Sequence, residues 1–149
     1  MDIGTGSGAI AVTLAKNNPD SFVSAVDISL DALALARENA EMNSVDNIEF
    51  IHSDIWENIN KKFNLIVSNP PYISQNEYDN LQPEITQFEP ITALVAPDDG
   101  LFFYNQIITK SANYLEDSGM LFLEIGYNQG DSIKRIFRES SLKLLSIDK

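Results

Sequence analysis

The sequence predicts an α/β fold built on a mostly parallel, doubly wound sheet. Short apolar runs, nearly continuous in character, alternate with segments of helical period. A glycine-rich turn, Gly4 to Gly8, joins the first apolar run to the first helix. Asp27, Asp54 and Asn69 follow the ends of successive apolar runs, the edge on which ligands bind in open parallel sheets.

The strands are expected at Phe22–Asp27, Ile48–His52, Phe63–Ser68, Met120–Ile125 and Leu142–Ile147. Helices are expected at Ala9–Asn17, Leu30–Met42, Asp99–Leu115 and Asp131–Glu139. Ser29 can cap the second helix, with Leu30, Leu33, Ala34 and Ala40 near one face. Phe102, Phe103, Ile107 and Ile108 are available for packing on the third. Strand alternating with helix implies parallel pairing through right-handed crossovers, with the 63–68 strand beside the first. Residues 69–98 are long and irregular and hold five of the six prolines; a loop that long within a compact domain is functional or disordered.

The 149 residues suit one domain, 1–149. No apolar run approaches the ~20 residues of a membrane helix, and no signal peptide pattern is present. Cysteine is absent, which excludes disulfides and thiolate metal sites and fits a cytoplasmic location. No His/Cys/Asp cluster suggests a metal. His52, the single histidine, reads as a hydrogen-bonded or exposed residue. A net charge of -12 disfavours a phosphate backbone as partner. The chain opens where a central strand is already ending, leaving Met1–Ile3 of it, and closes on KLLSIDK; both ends read as those of a fragment, or of a start assigned too late. On that reading Leu142–Lys149 presents an unpaired edge, which is mobile, pairs with the 119–125 strand, or pairs with another chain.

In MDIGTGSGAIAV, Gly4, Gly6 and Gly8 allow a tight strand-to-helix turn and close approach of a ligand to the backbone. The same residues are compatible with a flexible linker, and Gly4-x-Gly6-x-x-Ala9 satisfies a loose dinucleotide fingerprint. Asp27, 19 residues after Gly8, is placed to accept ribose hydroxyls, or to cap a helix at the surface. Asp54 is a partner for an adenine amino group, or a loop acid capping its own turn. Ile28, Ile55 and Trp56 offer apolar walls for a purine, with Trp56 equally suited to the core. In Asn69-Pro70-Pro71-Tyr72 the prolines fix the backbone and hold Asn69 extended. A polyproline turn and a docking segment remain open for this stretch.

Taken together, DIGTGSGAIAV, Asp27, Asp54 and NPPY resemble the class I S-adenosylmethionine-dependent methyltransferases. More closely, NPPYI, FEPITAL (88–94), DGLFFYNQII (99–108) and GMLFLEIGYNQG (119–130) resemble the release-factor glutamine methyltransferases, the HemK/PrmC family, over essentially the whole chain. The resemblance implies a Rossmann-like class I methyltransferase fold with the first strand truncated, the last antiparallel strand missing and an N-terminal helical domain absent. It implies S-adenosylmethionine as cofactor and S-adenosylhomocysteine as product. The cofactor residues it implies are Asp2, Gly4, Thr5, Gly6, Gly8, Asp27, Ile28, Asp54, Ile55 and Asn69. The substrate it implies is a glutamine side chain in the Gly-Gly-Gln loop of peptide chain release factors 1 and 2, held by Asn69, Pro70, Pro71 and Tyr72. Asn69 Oδ1 and the Pro70 carbonyl would accept the amide N–H groups while Tyr72 stacks on the amide plane, making Asn69, Pro70 and Tyr72 the catalytic set. No membrane is implied, and Glu89 receives no role beyond folding the long loop.

Three other readings stand beside this one. A DNA or RNA amino-methyltransferase can use the same four residues, but Asn69 to Gly100 contains Glu77, Asp79, Glu84, Glu89, Asp98 and Asp99 and no Lys or Arg, where a phosphate-tracking groove is basic. A dehydrogenase or nucleotide-binding domain leaves Asn69–Tyr72 without a purpose. A folded but inactive binding module is the non-enzymatic reading.

Overall fold

The structure is a computed structural model that describes residues 1–80, 82 and 90–148. The strands are β1 (Asp2–Ile3), β2 (Val23–Asp27), β3 (Ile48–His52), β4 (Phe63–Ser68) and β5 (Leu115–Leu123). They form one sheet in the order β3-β2-β1-β4-β5. β1 pairs in parallel with β2 and with β4, and β2 with β3. The chain steps outward from β1 to β3, then returns to the other side of β1, so the order reverses between β1 and β4. The 63–68 strand lies beside the first, as expected.

Contacts divide the chain into two compact units, Met1–Asn69 with Tyr114–Phe122, and Pro70–Asn113 with Leu123–Lys149. In the first, helices α1 (Ala9–Asn17) and α2 (Leu30–Met42) have the expected bounds. Ser29 caps α2 by accepting the Ala32 N–H at 3.2 Å. The packed face of α2 is Leu33, Ala36 and Ala40, whereas Leu30 and Ala34 are exposed. Leu30 sits in the first turn, where the helix has only begun to run along its neighbours. Ala11, Ala15, Val23 and Ala25 form a small-residue core with Leu14, Val45, Ile48 and Phe50 around it. Small side chains let α1 and α2 approach closely: a Cβ on Gly8 would stand 3.0 Å from Ala36 Cβ. β3, the edge strand, is only half-buried, and Arg37 covers its Phe50 ring at 5.3 Å.

Three strand expectations are corrected. Phe22 is 61% exposed and lies before β2, and β5 begins at Leu115 rather than Met120. Leu142–Ile147 is not a strand, and it does not join the sheet beside 119–125. An extended segment becomes a strand only through a ladder partner. Here Leu142, Leu144 and Ile147 are half-buried without one, and Lys143, Leu145 and Ser146 face solvent.

In the second unit α3 (Gln75–Tyr78) opens on a capping box, with Ser74 and Glu77 satisfying one another's backbone N–H groups. Short α4 (Ile91–Leu94) follows, then a single helical turn, α5 (Pro97–Gly100), in which Asp98 and Asp99 are left-handed. Ile73 bridges Val95 in parallel. α6 (Phe102–Ser111) is shorter than the expected Asp99–Leu115 because the left-handed turn precedes it. It buries Tyr104, Ile107, Ile108 and Ser111, leaving Phe102 and Phe103 half-buried. α7 (Gly130–Arg138) packs on α6 and buries Ile133 and Ile136. Burying side chains such as Ile107 and Ile108 contributes roughly 1.5–3 kcal/mol each.

Candidate functional site

All four parallel strands end on one edge of the sheet, and their following residues form the candidate site. Ile3 pairs with Val26 and Ser68, and Asp27 with His52. Gly4 and Asn69, which follow Ile3 and Ser68, are therefore level with each other where the strand order reverses. Open α/β sheets bind ligands at that position.

The glycine loop turns on positive φ angles of 68° at Gly4 and 56° at Gly6, a region that costs other L-residues roughly 1–2 kcal/mol. A Cβ at either would meet nothing within 4 Å, so backbone conformation rather than crowding requires glycine there. Thr5 anchors the loop twice. Its N–H donates to the Val26 carbonyl at 2.9 Å and its hydroxyl to Asp2 Oδ2 at 2.7 Å. Asp27 Oδ2 accepts the Gly6 N–H at 2.8 Å, and Oδ1 accepts the Ser29 N–H at 2.9 Å. The end of β2 thus holds both the loop and the entry to α2. Gly8 opens α1 with no side-chain cap.

Asp2 is buried, and its Oδ1 has no hydrogen-bond partner among the described residues. Burial pushes its carboxyl up to about 6, against the pull of the Thr5 hydroxyl and the Met1 ammonium. The Ala11 backbone pulls weakly in the same direction without meeting hydrogen-bond geometry. An orphaned buried carboxylate oxygen is expensive unless something completes it. A cationic or hydrogen-donating ligand would.

Ile28 is 64% exposed beside Asp27, and its carbonyl is 2.8 Å from His52 Nε2. His52 is thus both hydrogen-bonded and exposed. Asp54 is exposed, with no side-chain hydrogen bond to the described residues. Ile55 has φ 47°, a strained value for a β-branched residue. The turn is held by Ser53 Oγ, which accepts the Asn58 N–H at 3.0 Å, and by Asn58 Nδ2, which donates to the His52 carbonyl at 2.9 Å. Trp56 is buried and stacks on Tyr114 at 4.4 Å and 7°; it belongs to the core and is no purine wall.

Asn69 is exposed and its side chain makes no hydrogen bond with the described residues. Ser68 just before it is buried, with Oγ donating to the Ile3 carbonyl at 2.7 Å. In the second unit Pro70 is buried, and Pro71 and Tyr72 are half-buried. The Tyr72 carbonyl accepts from Gln129 Nε2 at 2.9 Å, a partner that motif reading did not single out. Of the acidic residues in this stretch, Glu77 is taken up by its capping box and Asp79 accepts from Gln75 at 3.0 Å. Glu84 and Glu89 lie outside the described residues.

The methyltransferase small domain family matches residues 1–87, the glycine loop through NPPY. The chain belongs to that family. It is 44% identical over its full length to a release factor glutamine methyltransferase of Fusobacterium nucleatum, covering 43% of that protein. It is 47% identical to one of Lactococcus lactis over 99% of this chain, covering 54% of that protein. The chain thus spans about half the length of the curated relatives it matches. Homologues in this methyltransferase family use S-adenosylmethionine as methyl donor. Among solved structures, a ribosomal protein L11 methylase from Lactobacillus delbrueckii subsp. bulgaricus superposes with a TM-score of 0.65 at 24% identity, over 97% of this chain and 62% of that one. A methyltransferase from Pyrococcus furiosus gives 0.68 at 20% identity, over 93% and 61%. The fold is that of the class I methyltransferases. No helix among the described residues is long and apolar enough to cross a membrane.

Proposed function

We propose that this chain carries the catalytic residues of a protein-glutamine N-methyltransferase acting on the Gly-Gly-Gln loop of peptide chain release factors in the cytoplasm. The observation that carries the reading is Asn69: an exposed side-chain amide with no partner among the described residues, level with Gly4 at the reversal of strand order. The relatives' names support the substrate.

The residues present fit S-adenosylmethionine. Gly4 and Gly6 leave open backbone for its amino-acid part, and the Asp2 oxygen without a partner among the described residues suits a molecule bearing positive charge. Asp27 retains lone pairs for ribose hydroxyls, and Asp54 is free to accept from the adenine amino group, with Ile28 and Ile55 as apolar neighbours. The cofactor supplies an electrophilic methyl group on a sulfonium.

A glutamine amide nitrogen is a weak nucleophile because its lone pair is delocalised. Asn69 Oδ1 accepts one amide N–H and the Pro70 carbonyl the other, drawing the nitrogen toward a pyramidal geometry. Tyr72 stacks on the amide and sets its tilt. Pro70 and Pro71 keep these acceptors in one frame. Two acceptors also favour the positive charge that develops on nitrogen, and the extra proton leaves to water after transfer. Alignment of this kind contributes roughly 7–11 kcal/mol.

Labelled methyl transfer by the full-length protein, offered a release factor and duplex DNA in parallel, tests the reading. Label on the release factor, lost when its loop glutamine is replaced, is the expected result. Label on DNA alone overturns it.

A further inference from the structure

The Gln129 side chain is buried in the second unit, and its amide is bonded on both sides. Oε1 accepts the Gly126 N–H at 3.0 Å, and Nε2 donates to the Tyr72 carbonyl at 2.9 Å, with the Gly100 carbonyl at 3.5 Å. A backbone N–H on one side and two carbonyls on the other permit only one orientation of the amide. Two glycines make room for it. A Cβ on Gly100, at φ 81°, would stand 2.1 Å from the Tyr72 carbonyl oxygen and 2.8 Å from Gln129 Nε2. A Cβ on Gly126 would stand 2.8 Å from Oε1.

Gln129 occupies the residue that precedes α7, yet its side chain does not cap that helix. The stabilisation available to a good capping residue is forgone there. The amide is instead directed at the carbonyl of Tyr72, the aromatic residue of NPPY. Pro70 and Pro71 have no N–H to anchor, so the segment is fixed where it ends. Beyond Tyr72, the Ile73 N–H donates to the Leu94 carbonyl at 2.9 Å, and the Ile73 carbonyl accepts the Ala96 N–H at 2.9 Å. With Gln129 on the Tyr72 carbonyl, the peptide plane leaving Tyr72 is held from both sides.

We infer that Gln129 is a positioning residue: it sets the Tyr72 peptide plane and through it the direction of the Tyr72 ring on the substrate amide. This rests on the methyl-transfer reading above for its catalytic consequence, but not for its structural one. Gln129→Met keeps the volume and removes both hydrogen bonds. It should lower kcat by about 10²-fold, the scale of a small misplacement at a reacting centre, and leave the cofactor Kd within about 2-fold. In a Tyr72→Ala background, the same substitution should change the slow residual kcat by less than about 2-fold, because its effect passes through Tyr72. Tyrosine-labelled protein should show shifted Tyr72 ring resonances in Gln129→Met. Gly126→Ala, which leaves Gln129 in place but crowds Oε1, should shift them too and stands in if Gln129→Met does not fold. Equal kcat losses in both backgrounds, or unmoved Tyr72 resonances, overturn the inference. If the wild type transfers no methyl to a release factor, the functional reading fails, and the resonances alone decide the positioning claim.

Discussion

The Asp27 carboxylate accepts the Gly6 backbone N–H at 2.8 Å, joining the end of β2 to the middle of the glycine loop. One side chain therefore shapes the loop and faces the edge where a ribose would lie. Asp27→Ala removes both roles. Calorimetric titration with S-adenosylmethionine should show at least a tenfold weaker Kd, the factor that corresponds to about 1.4 kcal/mol. An unchanged Kd would remove Asp27 from the cofactor site.

The Asn69 side chain makes no hydrogen bond with the described residues, so its replacement disturbs little of the fold. Asn69→Ala should lower kcat on release factor by about 10²–10³-fold, as loss of a transition-state hydrogen-bonding group does. Its Kd for S-adenosylmethionine should stay within about 2-fold. Equal losses in kcat and cofactor affinity would mean that Asn69 serves the cofactor alone.

Asp2 links stability to pH. Burial raises its folded pKa to about 6, above the ordinary 3.8. The stability it contributes is therefore full below about pH 4 and is lost as pH rises through 6. Asp2→Asn abolishes that slope. From pH 3.5 to 7.5, urea unfolding should show the Asn variant gaining about 3 kcal/mol relative to wild type. A gap that does not vary with pH would show that the carboxyl is not perturbed. The variant should also bind S-adenosylmethionine more weakly, because the charge that costs stability is the one offered to the ligand.

Gly8 and Gly4 separate crowding from backbone conformation. Both have positive φ, but only Gly8 faces a neighbour, Ala36. Gly8→Ala should cost about 1–3 kcal/mol from overpacking on top of the roughly 1–2 kcal/mol of left-handed strain. Gly4→Ala should cost the strain alone. Denaturant midpoints with unchanged m-values would report this difference; equal midpoints would place the α1–α2 contact elsewhere.

Much of this arrangement is legible in local patterns. α1, α2, β3 and β4 fall within their expected bounds because cap, period and apolar run coincide there. The glycine loop and Asp27 are legible for the same reason: the turn and its acidic partner follow from chain spacing. The face of α2 is misread because apolar residues in a first turn need not touch anything, as exposed Leu30 shows. Leu142–Ile147 has strand composition but no ladder partner, and composition does not supply one.

By itself the sequence determined the α/β class, the loop, the carboxylates closing the strands and the Asn69–Tyr72 segment with its paired prolines. Each follows from residues close together in the chain. Tertiary structure alone decided that Trp56 stacks on Tyr114, that one Asp2 oxygen has no partner among the described residues, and that Gln129 holds the Tyr72 carbonyl from 57 residues away. Those depend on which surfaces meet once the chain is folded. Burial and hydrogen bonding at a distance act between neighbours in space, and no spacing along the chain encodes them.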